Sequence, residues 1–214
     1  TAGTFNGKID SLTLKDDRDL NLRLEQEALV SASAGAASIS ELCLVGEEAR
    51  LCAAGAFDAK DWSASFKATQ LPLAALTAGL SGDVDYNGTI DITASAKGGA
   101  GRSPVGELRA QLTGAELEHQ LSNGRVERMA FGSGKVVAIA AEEALELDVG
   151  LDAGASGGLA GQLRIDRTIG EWRDHPITGA LDLSTDGLGV IDIYLGGIDR
   201  ATGRLIAKVG ISGT

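Results

Sequence analysis

The chain has 214 residues, with 30 glycines, 3 prolines, 43% hydrophobic residues and only 4% aromatic ones. It is too apolar to stay disordered and too poor in Phe, Tyr and Trp for a thick aromatic core. A net charge of −11 argues against nucleic acid, which needs a basic stripe, and against docking on an anionic membrane surface.

No run approaches the roughly 18 apolar residues of a spanning helix. The chain starts at Thr1 without a signal peptide, and a repeating pattern still runs at Thr214. We therefore expect residues 1–214 to be a fragment of a longer protein whose membrane anchor lies elsewhere.

Period two dominates from the start. Leu20, Leu22 and Leu24 alternate with polar residues, and alternate side chains of a strand point to opposite faces. The next feature is Leu42-Cys43-Leu44-Val45-Gly46-Glu47-Glu48-Ala49-Arg50-Leu51-Cys52. A turn centred on Glu47-Glu48 sets 46 against 49, 45 against 50, 44 against 51 and Cys43 against Cys52. Alternation then makes the cysteines a non-hydrogen-bonded pair, with Cα atoms about 4.5 Å apart, within reach of a disulfide. Glu-Glu is a poor primed-turn sequence, which favours a four-residue loop with the same pairing. A disulfide implies an oxidising compartment; the alternative is two buried thiols. Two thiolates without nearby histidines make a poor zinc site, which wants four ligands.

Trp62 opens an alternating strand. Neither it nor Trp172 has a second aromatic beside it in the sequence, so both are expected to pack over a sheet edge rather than stack on a ligand. In Leu71-Pro72-Leu73-Ala74-Ala75-Leu76-Thr77-Ala78-Gly79-Leu80 the apolar residues fall at 73, 76 and 80. That spacing predicts a short helical turn, with Pro72 at its start. Alternation then resumes with Val84, Tyr86, Gly88, Ile90, Ile92, Ala94 and Ala96 against Asp83, Asp85, Asn87, Thr89, Asp91, Thr93, Ser95 and Lys97. It continues through Leu108, Ala110 and Leu112, through Leu145, Leu147, Val149 and Leu151, and through Leu159, Leu163 and Ile165. Gly98-Gly99, Asn123-Gly124 and Gly157-Gly158 punctuate the runs. Leu188, Ile191 and Leu195 predict a second helical turn. About fourteen strands follow from these rules.

The two helical stretches mark an internal repeat. A shift of 115 positions lays 62–98 on 177–213 without gaps: Leu73 meets Leu188, Gly88 meets Gly203, Ile90 meets Leu205, Ala94 meets Val209 and Ala96 meets Ile211. The unit reads strand, helical turn, glycine, strand, and such repeats stack into elongated structures. The fold class is therefore mainly β: an elongated antiparallel or mixed sheet with two short helical turns. Its dry face can pack on a second sheet, close on itself, or curl into a trough. Small lining residues favour the trough.

Reactive motifs are sparse. His119 and His175 lie far apart beside Glu118 and Asp174, with no partner motif, and read as solvated surface residues. Gly-x-Ser-x-Gly is absent. Gly132-Ser133-Gly134-Lys135 lacks the spacing of a phosphate loop, since Val136 follows the lysine. Asp83, Asp85, Asn87 and Gly88 lack the twelfth-position Glu of a calcium loop, where Ala94 stands. We expect no enzyme, no cofactor and no metal.

The Leu-Cys pair at 42–52, Trp62 in its alternating strand, Leu71-Pro72-Leu73-Ala74-Ala75-Leu76 and the strand around Gly88 together resemble the TamB family, the AsmA-like, inner-membrane-anchored component of the translocation and assembly module in Gram-negative bacteria. Leu188 to Thr214 resembles a second copy of that unit, with Asp186-Gly187-Leu188 in place of Leu-Pro-Leu. The resemblance implies a periplasmic segment of a long hydrophobic trough. It implies that the protein partners a TamA-like outer-membrane barrel of the Omp85 type through parts outside these residues. It also implies movement of phospholipid between the membranes in support of outer-membrane assembly. The alternatives are a scaffold for autotransporter and barrel proteins, or a passive spacer. The expected contacts for acyl chains are Val84, Tyr86, Ile90, Ile92, Ala94, Leu108, Leu112, Leu147, Val149, Leu163, Ile165, Leu205, Val209 and Ile211.

Overall fold

The structure is a computed structural model that describes residues 3–16, 20–77, 84–120, 126–154, 157–167, 175–185 and 203–213. Its strands are β1 (Phe5–Ile9), β2 (Thr13–Lys15), β3 (Asn21–Leu24), β4 (Ala28–Ser33), β5 (Ala36–Val45), β6 (Arg50–Phe57), β7 (Asp61–Pro72), β8 (Val84–Gly99), β9 (Arg102–Gln120), β10 (Val126–Ala140), β11 (Ala144–Asp152), β12 (Gly157–Asp166), β13 (Ile177–Thr185) and β14 (Leu205–Gly213), with one helical turn, α1 (Leu73–Leu76).

All belong to one 14-stranded sheet in the order β1-β4-β5-β6-β7-β8-β9-β10-β11-β12-β13-β14, with β3 joining β2 to β5. Every pairing is antiparallel. The expected alternative of a mixed sheet does not arise among the described strands; the short turns between β4 and β5, β5 and β6, β6 and β7, β8 and β9, and β10 and β11 permit only antiparallel neighbours.

Those turns are made locally. Gly35 (φ 107) and Gly101 (φ 72) take the left-handed conformation that turns demand. Asp58 closes the β6–β7 turn by accepting the N–H groups of Lys60 and Asp61 on one carboxylate oxygen, at 2.7 and 2.8 Å. Two predicted breaks fall elsewhere. Gly98-Gly99 belongs to the end of β8 and Gly157-Gly158 to the start of β12, while Asn123-Gly124 lies outside the described residues.

The helical turn at 73–76 forms as expected. Pro72 is its N-cap (φ −60, ψ 132), and Thr77 closes it by donating from both N–H and Oγ1 to the Leu73 carbonyl. The second predicted turn, at Leu188, Ile191 and Leu195, lies outside the described residues, as do parts of both repeat copies. Among the described residues there is one short helix rather than two.

The core sits toward the first half of the sheet. Leu22, Leu44, Ala49, Ala68 and Leu71 are buried together, with Leu24, Leu51, Phe66, Ile90 and Ile92 packed around them. Leu22 is fully buried, and burying a leucine contributes about 1.5–3 kcal/mol.

Candidate functional site: the apolar face

Register turns separate alternating strands into continuous rows. Leu24, Leu44, Leu51, Ala68, Ile92, Ala110, Val136, Val149, Gly161, Leu181 and Val209 stand opposite one another in turn from β3 to β14. One step along, Leu42, Ala53, Phe66, Ala94, Leu108, Ala138, Leu147, Leu163, Gly179 and Ile211 form a second row. Directly opposed residues share a face, so both rows lie on one side of the sheet.

All the residues named above as acyl contacts fall on this side. The register also adds residues that local pattern reading missed. Val136, Ala138 and Leu181 continue the rows, and Ala115 and Leu117 extend them past a break in parity. On β9 the apolar positions run 108, 110, 112 and then 115, 117, because the register against β8 and β10 shifts next to Gly114 (φ 59). The signal for this was the glycine itself, followed by the change of parity.

Solvent access to the rows is uneven. Ala68, Ala115 and Leu117 are buried, whereas Leu108, Val209 and Ile211 are 38%, 49% and 40% exposed. Among the described residues a single sheet supplies the strands, so no second sheet covers the rows there. A cavity of about 350 Å³ opens on this side, among Phe66, Ala94, Ala96, Leu108, Ala138 and Leu145. Of the expected contacts, Ala94 and Leu108 line it.

The opposite face is built differently in its two halves. From β8 onward it carries cross-strand ion pairs, including Arg128 with Glu118 at 2.7 Å, Lys135 with Asp148 at 3.1 Å, and Arg164 with Glu146. Such exposed pairs help set register and add little stability. Nearer β1 the same face carries mostly small side chains, beside the ion pairs of Lys8 with Glu27 and Arg50 with Glu25. A groove of about 1240 Å³ crosses it from Leu29 to Ile139, past Ser31, Ser38, Ser63, Ser95 and Lys97.

Cys43 and Cys52 form a disulfide with Cα atoms 4.1 Å apart, in the predicted pairing with Leu44 opposite Leu51 and Val45 opposite Arg50. Residues 46–49 make the four-residue turn, closed by the Gly46 N–H donating to the Ala49 carbonyl at 2.8 Å. Alternation puts the disulfide on the side away from Leu44 and Leu51. Arg50 covers it, donating to Cys43 Sγ at 3.3 Å while held by Glu25 at 2.8 Å. A Glu41 carboxylate oxygen lies within 4.8 Å of both sulfurs, but the disulfide occupies them and leaves Glu41 as a lone donor.

Phe57 stands directly opposite Trp62, an aromatic neighbour supplied across the hairpin, while the indole lies against Gly98, a packing position. The reading of the two histidines as solvated is corrected. His119 is half-buried rather than solvated, opposite Val84 on the apolar side, and its Nδ1 has no hydrogen-bond partner among the described residues. His175 is half-buried as well. Trp172 lies outside the described residues.

No helix among the described residues is long and apolar enough to cross a membrane. Searches of curated proteins and of solved structures return no match. The family model described as TamB, N-terminal domain, matches residues 1–214, and with it the chain belongs to the TamB family of bacterial envelope proteins.

Proposed function

We propose that this segment is a non-catalytic conduit, in which the sheet curls into a trough and its apolar rows shelter phospholipid acyl chains in the periplasm. In this reading it carries lipid between inner and outer membranes and supports outer-membrane assembly. Its TamA-like barrel partner meets other parts of the protein. The observation that carries the reading is the apolar row from Leu24 to Val209, uninterrupted across neighbouring strands and exposed at its β14 end, where Val209 is 49% exposed. An exposed apolar surface of this extent calls for a covering partner. The row holds aliphatic side chains, alanine and one glycine, leaving room for hydrocarbon.

The test is a photo-crosslinker at Ile92 and, separately, at Thr93, its neighbour on the other face. Lipid adducts are expected at Ile92 and not at Thr93. Equal labelling at both sites would sink the conduit reading.

A second reading, a scaffold for unfolded barrel strands, draws support from β14. Its nine residues pair with β13 on one side only among the described strands. Ile206 and Val209 on it are 57% and 49% exposed. Such an edge accepts an extended peptide. That reading predicts polypeptide adducts at β14 in place of lipid adducts at Ile92.

A further inference from the structure

We propose that the Cys43–Cys52 disulfide is a directional thiol-exchange site: an incoming thiolate attacks Cys52, and Cys43 leaves as a thiolate held by Arg50. The clasp between β5 and β6 is then reversible, and the ligand class it takes is an ionised thiol. This exchange does not depend on the conduit, since the disulfide lies on the other face of the sheet.

The two sulfurs differ in their surroundings. Arg50 donates from Nη2 to Cys43 Sγ at 3.3 Å, and among the described residues no side-chain donor reaches Cys52 Sγ. A cation beside a sulfur favours its thiolate, and a disulfide breaks faster toward the thiol that is the better leaving group. Cys43 is that thiol. A Glu41 carboxylate oxygen lies within 4.8 Å of both sulfurs and so does not choose between them.

The approaches differ as well. A thiolate attacks a disulfide sulfur from the side opposite the sulfur it displaces. Cys43 on β5 stands opposite Cys52 on β6, so Cys43 is approached from the β3 side and Cys52 from the β7 side. The β3 side is closed. The Glu25 N–H donates to the Cys43 carbonyl at 2.9 Å, and the Glu25 carboxylate, 2.8 Å from Arg50 Nη2, repels an anion there. The β7 side carries Lys67 directly opposite Cys52 and Thr93 opposite Lys67, both exposed. Lys67 has no ion-pair partner among the described residues, and its charge draws in a thiolate. Cys52 is 3% exposed and Cys43 not at all, so what access there is lies at Cys52.

In the first step the incoming thiolate bonds to Cys52 Sγ, the Sγ–Sγ bond breaks, and its electron pair leaves on Cys43 Sγ beside the guanidinium. A second thiolate then attacks the reagent's sulfur in this mixed disulfide and releases Cys52 as a thiolate, which solvent protonates. Two thiols have become one disulfide, and the two cysteines have taken up two electrons.

The experiment treats the folded chain with glutathione, stops the reaction with N-ethylmaleimide and maps the products by peptide mass spectrometry. Glutathione is expected on Cys52, with the maleimide on Cys43. Arg50→Gln is expected to slow reduction about tenfold, whereas a merely shielding Arg50 would give faster reduction on its removal. Lys67→Gln is expected to slow attack by glutathione about threefold, and not attack by cysteamine, whose ammonium cancels its thiolate charge. In urea all three proteins should react alike, because the native geometry is gone. Glutathione on Cys43, or on both cysteines equally, overturns the direction. Faster or unchanged reduction in Arg50→Gln, or no reduction of the folded chain, overturns the exchange site. An unchanged ratio of glutathione to cysteamine rates in Lys67→Gln overturns the approach over β7.

Discussion

Trp62 on β7 lays its indole over Gly98 of β8, so that a Cβ at position 98 would fall 2.7 Å from the ring Nε1. Phe57 stands on the other side of the same tryptophan. The glycine is a seat for the ring. Gly98→Val lifts the indole off the sheet, so in a Trp172→Phe background the Trp62 fluorescence should shift to the red. The cost should be about 1 kcal/mol, of the order of a cross-strand pair. An unchanged spectrum would show that the ring does not rest there in solution.

The disulfide closes a short loop, with a sequence separation of 9. Loop-closure entropy for that length corresponds to about 2–3 kcal/mol. Changing Cys43 and Cys52 together to serine should lower the unfolding free energy from urea denaturation by that amount. Because the disulfide lies on the side away from Leu44 and Leu51, lipid labelling from Ile92 should survive the change. Loss of labelling with folding retained would tie the disulfide to the apolar face instead.

Leu22 is fully buried in the cluster with Leu44 and Leu71. Leu22→Ala should cost about 2–5 kcal/mol, from lost transfer energy and the cavity left behind. Leu12→Ala, at a position 42% exposed, should cost well under half as much. Equal midpoints for the two variants in chemical denaturation would refute this placement of the core.

Two carboxylates titrate below their ordinary range. Asp58 is held down by the backbone N–H groups of Lys60 and Asp61, and Asp148 by hydrogen bonds first from Lys135 and then from Gln162. A carboxyl that is more acidic when folded stabilises the protein above its unfolded value, near roughly 3.9. That contribution is lost as pH falls through the lower folded value. Carboxyl-carbon NMR should find both midpoints depressed. Lys135→Ala should move Asp148 upward and leave Asp58 in place; no movement of Asp148 would mean that the ion pair does not form in solution.

Much of this architecture was legible because its causes are local. Alternation from Val84 to Ala96 reads as a two-faced strand wherever that strand ends up, and half-buried even positions against exposed odd ones from 90 to 97 follow it. The cysteine register followed from counting outward from one turn. Other features were illegible because they depend on partners. Phe57 meets Trp62 only once the β6–β7 turn has formed. Leu117 joins the apolar face only because one extra residue at the Gly114 bulge reverses the parity of β9. His119 looked solvated beside Glu118, yet that same parity change turns it to the apolar side.

The composition and the period-two pattern determined that this chain makes amphipathic strands, because the direction of a side chain along a strand depends only on its own backbone. Whether those strands add up to one continuous apolar surface was decided by the tertiary structure. The rows exist only when every neighbour is in register, and a slip of one residue between any two strands would turn the remaining apolar positions to the wet face. The pairing of β1 with β4 and the line of Gly88, Gly114 and Gly132 across β8, β9 and β10 belong to that second level. They arise from contacts between residues distant in sequence, which no local pattern encodes.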